Sequence, residues 1–372
     1  TANSLYGQCG ARTSTFYEQD VAASTTATGR EMIIYGKRMI EELYGDLEYK
    51  TQDGTLVKTN AEYIYGDTDS VFFTFNLSDP TTKNKIVGYD ALKYTIEIAQ
   101  EAAEVCSMFL KPPMFLEYEK TFMPFILLSK KRYVGILYEE DPNKGYMKYM
   151  GLSIKRRDSC DYLKDTYGEI INILMKSSDI EDSIKYLQNA LDNLASGEVN
   201  TDKLLITKAL RGYYKNPQQI AHHVLAERIG KRDPGNKPKP GDRMRYMFFV
   251  NNNKKALNGE KIETPEFIKN KKLKIDYSYY VTNQLMKPLQ QLFGLAVEKI
   301  WEKQNKNIAI KNYKKEIDLI KKECNDDYEL FQKKREKLAS AKVKTLLFDE
   351  ILRKINNDKS NIKEISSYFK KI

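Results

Sequence analysis

Two carboxylates on one tight turn between apolar runs restrict this chain more than any other feature. Residues 62–65 and 71–75 read as strands, and Gly66-Asp67-Thr68-Asp69 turns between them. Carboxylates placed beside hydrophobic strands are costly unless something positive sits with them. Magnesium suits such a pair, because it is a hard cation that takes carboxylate oxygens and keeps several waters. Two such ions about 4 Å apart would clamp the attacking and leaving oxygens of a phosphoryl transfer. Glycine, aspartate and serine are also ordinary turn formers, so the hexapeptide Tyr65-Gly66-Asp67-Thr68-Asp69-Ser70 taken alone fits an Asp-rich β-turn equally well.

The rest of the composition narrows the chemistry. With 372 residues, 41% of them hydrophobic, the chain is long enough for two domains, or for one large domain with an appendage. Its 61 Lys and Arg outnumber 51 Asp and Glu, a formal net charge of +10 that favours polyanionic partners. Cys9, Cys106, Cys160 and Cys324 are far apart with no Cys-x-x-Cys pair, so no zinc site is expected and a reducing compartment fits. His222 and His223 are the two histidines, and adjacent side chains diverge, which argues against a histidine metal site or a serine triad. No apolar run approaches the roughly 18 residues of a membrane span, so no membrane partner is expected. Thr1 falls inside a helix-like stretch, which leads us to expect a cut edge there with part of the protein upstream.

Periodicity supplies a coarse architecture. Residues 18–44 read as one long helix stopped by Gly45, and Asp53-Gly54 marks a hairpin. Residues 91–110 read as an amphipathic helix closed by Pro112-Pro113, and 114–118 and 133–139 read as strands, the second followed by the turn Asp141-Pro142-Asn143. Beyond about Asp158 the pattern turns helical, with a proline-bearing loop at 230–242. The Lys- and Glu-dense stretch 302–344 reads as a solvated helical hairpin. The expected fold class is α+β, an antiparallel sheet backed by helices and followed by a mostly helical domain.

Several segments, taken in order, resemble family B DNA polymerases. Tyr65-Gly66-Asp67-Thr68-Asp69-Ser70 is similar to their motif C, and Asn3-Ser4-Leu5-Tyr6-Gly7 to the end of motif B. Lys130-Lys131-Arg132-Tyr133 resembles the KKRY segment that grips the primer, with Leu116-Glu117-Tyr118-Glu119-Lys120 as the strand leading into it. Gly151-Leu152 with Arg156-Arg157-Asp158 resembles the palm-to-thumb junction. Thumb-like segments follow at 205–208, 223–228, 241–243, 275–277 and 287–289. The likeness covers nearly everything except the last 70 or so residues. It is strongest to delta-type eukaryotic enzymes and those of large eukaryotic DNA viruses. The cysteine-rich zinc modules of the cellular members are missing here, which favours a viral source.

The resemblance implies a division into 1–15 (end of the fingers helix), 16–150 (palm), 151–300 (thumb) and 301–372 (a charged helical extension). It implies a template-directed DNA polymerase using two Mg2+ ions, with Asp69 as direct ligand, Asp67 in support and Glu119 as an auxiliary carboxylate. Residues i and i+2 of an extended segment face one way, so both aspartates are expected to reach one site. Asn3, Tyr6 and Gly7 would lie under the nascent base pair and contact the deoxynucleoside triphosphate. Lys130, Lys131, Arg132 and Tyr133 would meet the primer–template duplex through sequence-blind minor-groove contacts. Lys208, Arg228, Lys231, Arg232 and Arg243 would hold phosphates. Ile365, Tyr368 and Phe369 have the spacing of a sliding-clamp peptide, although Ile362 stands where such peptides carry Gln. A plain amphipathic end packed on the thumb is the other reading of that tail. Motif A, the motif B lysine and the exonuclease domain are not visible, so the chain is expected to be inactive alone. The expected setting is intracellular, in the nucleus or a cytoplasmic virus factory. A catalytically inactive relative that binds DNA is the alternative, and intact Asp67 and Asp69 speak against it.

Overall fold

The computed structural model describes residues 2–177, 179–253, 255–325 and 327–359. The chain divides into two compact units, Thr1–Lys148 and Tyr149–Ile372. Helices dominate, with small antiparallel sheets among them, an α+β fold as expected. Among the described residues no helix is long and apolar enough to cross a membrane.

The first unit opens with α1 (Ala2–Gly10) and the long α2 (Gln19–Tyr44). Gly45 ends α2, though not in the left-handed conformation that a stop glycine usually adopts. Its φ is −68°, and a Cβ there would collide with the Glu41 carbonyl oxygen. The final carbonyl of α2, on Tyr44, accepts from the Ala61 N–H at 2.9 Å and from the buried Thr59 hydroxyl at 2.7 Å. Helix ends leave such groups unpaired, and here the following chain satisfies one. The hairpin of β1 (Glu48–Lys50) and β2 (Leu56–Lys58) turns at Gly54, φ 89°. A second hairpin, β3 (Glu62–Asp67) with β4 (Ser70–Thr74), precedes α3 (Gly88–Met108).

Tyr94, Ile98, Ala102 and Cys106 recur every four residues on α3 and so share one face. They close over Ile40 and Tyr44 of α2, Val57 of β2, and Phe75 and Leu77 just after β4. This is the core under the acidic hairpin. Three further strands, β5 (Thr121–Ser129), β6 (Arg132–Tyr138) and β7 (Tyr146–Met150), form a sheet in that order. The expected strand at 114–118 does not form. Leu116 donates its N–H to Ser107 Oγ at 2.9 Å, and its carbonyl accepts from the same hydroxyl at 2.8 Å, so the segment is tied to the end of α3 rather than to a strand.

In the second unit, α4 (Asp161–Ser177) packs on α5 (Ile180–Ser196). Ile180, Ile184, Leu187, Leu191 and Leu194 line the buried face of α5, the Asp179 side chain caps its start, and Gly197 at φ 76° ends it. Next come β8 (Ile206–Ala209), α6 (Ala221–Arg232), β9 (Arg243–Phe248) and β10 (Ile262–Glu263), the strands ordered β10-β9-β8. Periodicity did not reveal this small sheet. The remaining helices are α7 (Pro265–Asn270), α8 (Tyr277–Tyr279), a π-helical stretch Tyr280–Leu285, α9 (Met286–Gly294), α10 (Val297–Lys303), α11 (Asn307–Glu323), α12 (Tyr328–Leu347) and α13 (Asp349–Lys359).

The charged stretch is therefore the expected helical hairpin, α11 and α12. It is seated on α9 and α10, where Gln290 Nε2 donates to the Ser340 carbonyl at 2.9 Å and the ring of Trp301 meets Tyr313 edge-on at 5.4 Å.

The 230–242 loop starts later than its prolines suggested, because α6 continues to Arg232. Glu263, only 4% exposed, accepts from Arg228 Nε at 2.8 Å and from Arg232 Nη2 at 2.8 and 3.0 Å. Arg228 also donates to the carbonyls of Gly259 and Ile262, and Arg232 lies over the Phe267 ring at 4.2 Å. Two guanidiniums thus tie α6 to β10 and α7. Glu263→Ala removes the shared anion, and we expect a stability loss of about 3–5 kcal/mol. A lowered urea midpoint checks this; an unchanged one would show that the cluster does not hold the unit together.

Candidate active site

The β3–β4 hairpin pairs Asp67 with Ser70, which leaves Thr68 and Asp69 as a two-residue loop. Thr68 sits at φ 59°. A β-branched residue in the left-handed region is strained by roughly 1–3 kcal/mol, and such strain persists where the surroundings over-determine the conformation. Those surroundings are visible beneath it. A Cβ on Gly66 would stand 2.5 Å from the Tyr63 hydroxyl and 3.3 Å from Ile33 of α2 and from the Ser70 carbonyl, so any larger residue would force the Tyr63 ring to shift. Gly29 of α2 comes near the Thr68 carbonyl, and Gly36 near Val71. Gly29, Ile33 and Gly36 are spaced i, i+4, i+7, which makes one low helix face on which the hairpin lies close. That spacing was readable in the sequence and went unused.

A second hairpin tip meets the first. β5 and β6 pair Ser129 with Arg132, which leaves Lys130 and Lys131 as the loop, with Lys131 at φ 63°. Lys131 Nζ donates to Asp67 Oδ1 at 2.5 Å and to Thr68 Oγ1 at 3.3 Å, and its backbone N–H donates to the Tyr65 hydroxyl at 2.7 Å. Under both tips, Tyr65, Phe72, Phe122, Phe125 and Tyr133 form one aromatic cluster, with centroids 5.3 to 6.4 Å apart. Tyr65 was quoted only as part of a motif; here its ring belongs to that cluster and its hydroxyl positions Lys131.

The electrostatics follow from this contact. The hydrogen bond from Lys131, aided by Thr68, holds the Asp67 carboxyl below the usual carboxylate range. The same bond raises the Lys131 ammonium above the ordinary lysine value, with the charge of Asp69 adding to the effect. Burial pushes Tyr133 up, and the charges of Glu119 and Asp67 push it further. Glu119 itself pairs with Lys120.

The two aspartates differ. Asp67 ends a strand and is ion-paired, whereas Asp69 is exposed in the loop and its carboxylate makes no hydrogen bond or ion pair among the described residues. The i, i+2 argument fails here, because the chain is not extended between them; the loop relates them instead. Hard oxygen donors on a strained tip fit a magnesium ion. They make only part of a ligand set, since no group of three or more His, Cys, Asp or Glu suited to a metal occurs among the described residues.

Tyr6 lies on α1 and its hydroxyl shares a hydrogen bond of 2.9 Å with Thr26 Oγ1 of α2. It lines a cleft of about 310 Å³ with Gly10, Arg12, Tyr17, Gln19 and Ala22. Gly7 faces open space; Asn3 falls on α1, and its side chain lies outside the described residues, as do Ile365, Tyr368 and Phe369. In the second unit Arg228 and Arg232, expected at phosphates, are engaged by Glu263 instead, because a buried carboxylate needs compensating charge. Lys208, Lys231 and Arg243 are exposed and make no ion pair among the described residues. Along β9, exposed Arg243 and Arg245 alternate with buried Met244 and Tyr246, which sets two arginines on one strand face. Arg245 was not among the phosphate-holding residues expected from the sequence.

Residues 1–295 match DNA polymerase family B, and the chain belongs to that family. It is 44% identical over 99% of its length to a DNA polymerase of Pyramimonas orientalis virus, covering 29% of that protein. It is 40% identical over 68% of its length to a DNA polymerase of Acanthamoeba polyphaga mimivirus, covering 15% of it. With the DNA polymerase delta catalytic subunit of Candida albicans it shares 33% identity over 79% of its length, 26% of that subunit. The chain thus spans less than a third of the length of these relatives.

Replacing Lys131 with Met tests the tip-to-tip contact. The Asp67 titration midpoint, read by carboxyl NMR, should move up toward the ordinary aspartate value of about 3.9. The sign follows from linkage. A depressed folded pKa gives stability that is present above the unfolded value and lost as pH falls through the folded one. The Met variant should therefore lose less stability on acidification than the parent. An unmoved midpoint would show that the pair does not form in solution.

Proposed function

We propose that this chain provides the acidic turn and a DNA-holding surface of a template-directed DNA polymerase, which joins deoxynucleotides to a primer 3′-hydroxyl. The observation that carries the reading is the pairing of hairpin tips. A loop with one committed and one unengaged aspartate is met by the lysine loop of a KKRY segment, in a chain of family B.

Each residue has a task in this reading. Asp69 receives a divalent cation, and Asp67, kept ionised by Lys131, supports it. Magnesium bound there neutralises charge that develops on phosphoryl oxygens, with further ligands from outside the described residues. Lys130, Lys131 and Arg132 steady the primer end beside the turn, Tyr133 supports them from the buried aromatic cluster, and Glu119 adds negative charge nearby. Tyr6, with Asn3 and Gly7, offers an aromatic floor and close approach for the nucleotide in the α1–α2 cleft. Lys208, Lys231, Arg243 and Arg245 hold phosphates; Arg228 and Arg232 serve the fold.

The proposed division is the end of the fingers helix at 1–15, palm at 16–150, thumb at 151–300 and a charged extension at 301–372. A sliding-clamp contact through Ile365, Tyr368 and Phe369 belongs to the same proposal, as does action at an intracellular replication site, nuclear or in a virus factory. Because the turn offers an incomplete ligand set, the chain by itself should not extend a primer.

The test is primer extension with magnesium, using a polypeptide of the relatives' length that carries this chain. Asp69→Asn should lower the single-turnover rate by at least about 100-fold, a loss of the size seen when one transition-state charge contact is removed, and primer–template affinity should stay within a few fold. Binding without extension by the unaltered protein would instead identify a DNA-binding relative that has lost catalysis.

A further inference from the structure

Residues 296–359 lie beyond the family match, which ends at 295, yet the Pyramimonas orientalis virus relative aligns over 99% of this chain. The extension is therefore shared with at least one viral enzyme while standing outside the part common to the family. Its helix α11 carries two carboxylates paired with a neighbouring helix and one, Asp318, that is exposed. The carboxylates Glu316 and Glu323 are engaged by Lys342 and Lys334 of α12, and Lys314 by Glu298 of α10. Ile308, Lys311, Lys315, Leu319 and Lys322 fall at i, i+3, i+7, i+11 and i+14, which is one helix face. All five are exposed, and among the described residues the three lysines make no ion pair or side-chain hydrogen bond.

A merely solvated face would be expected to carry balanced charge and no large aliphatics. This one sets three lysines against one carboxylate, the exposed Asp318, and Ile308 and Leu319 stand 78% and 59% exposed within it. The helical rise puts the lysines roughly 6 and 10 Å apart along the axis, a spacing that successive backbone phosphates can meet.

We propose that this face of α11 is a second nucleic-acid contact, in which Lys311, Lys315 and Lys322 bind backbone phosphates of duplex DNA and Ile308 and Leu319 cover the sugar edge between them. The contact would be indifferent to sequence, because phosphates and sugars carry none of the base code. It would supplement the proposed grip of Lys208, Lys231, Arg243 and Arg245, and it rests on the reading that the chain holds DNA.

The experiment measures binding of the 372-residue chain to a 40-base-pair duplex by fluorescence anisotropy across a salt series. Three variants are compared with it: K311Q/K315Q/K322Q, R243Q/R245Q, and K334Q as a control that removes a lysine already paired. Circular dichroism checks that each remains helical. Each phosphate contact contributes about 0.9 to the slope of log affinity against log salt. The triple variant should therefore lower that slope by about 2 to 3, and K334Q should leave it unchanged. A slope unmoved by the triple variant but reduced by R243Q/R245Q overturns the α11 contact alone. Failure of the unaltered chain to bind at low salt overturns it together with the DNA-holding reading beneath it. Unchanged DNA binding with lost capture of polyglutamate assigns the face to an acidic protein and also overturns the proposal.

Discussion

The aromatic cluster of Tyr65, Phe72, Phe122, Phe125 and Tyr133 is the contact on which the site depends. These rings come from two separate hairpins, β3–β4 and β5–β6, and their packing brings the two tips together. Each tip is a two-residue loop with a side-chain-bearing residue in the left-handed region, Thr68 in one and Lys131 in the other. Neither conformation would persist in an isolated peptide, because nothing would offset the strain. Once the rings are buried against each other, the Lys131 N–H finds the Tyr65 hydroxyl and its ammonium finds Asp67. Apolar burial sets the distance, and electrostatics then acts over it.

The result is an asymmetric pair of carboxylates. Asp67 has its counter-charge in Lys131, and Asp69 has no ion pair among the described residues. A site with both aspartates neutralised by lysines would have little capacity left for a cation, whereas two unpaired carboxylates on one turn would repel each other. Engaging one and leaving the other open keeps the turn folded while leaving a carboxylate available for the divalent ion of the proposed function. Thr59, Gly66 and the low face of α2 serve the same end from below, closing a helix end and letting the strained loop lie against a rigid helix.

Charge in the second unit is divided along similar lines. Arg228 and Arg232 are consumed by a buried glutamate that holds α6 to the small sheet, while Arg243 and Arg245 remain on the outer face of β9. A basic run in a sequence thus splits into residues that make the fold and residues available to a partner. The extension repeats the pattern in part, since α11 engages Glu316 and Glu323 with α12 and leaves Lys311, Lys315 and Lys322 exposed beside Asp318.

Much of this was legible in the residues alone. The hairpin around Asp67 and Asp69, the glycine turn at Gly54, the helices α2 and α3, and the α11–α12 hairpin all follow from local spacing, because backbone propensity and periodicity are short-range properties. The order of motifs identified the family for the same reason. What the sequence could not supply was every relation that depends on a partner far along the chain. Met114 to Tyr118 resembled a strand until Ser107 claimed the backbone of Leu116. Arg228 and Arg232 resembled phosphate ligands until Glu263 was found buried between them, and Lys131 could not be assigned to Asp67, 64 residues away, before the aromatic cluster was known. Local interactions chose the elements, and long-range burial chose which charges would meet.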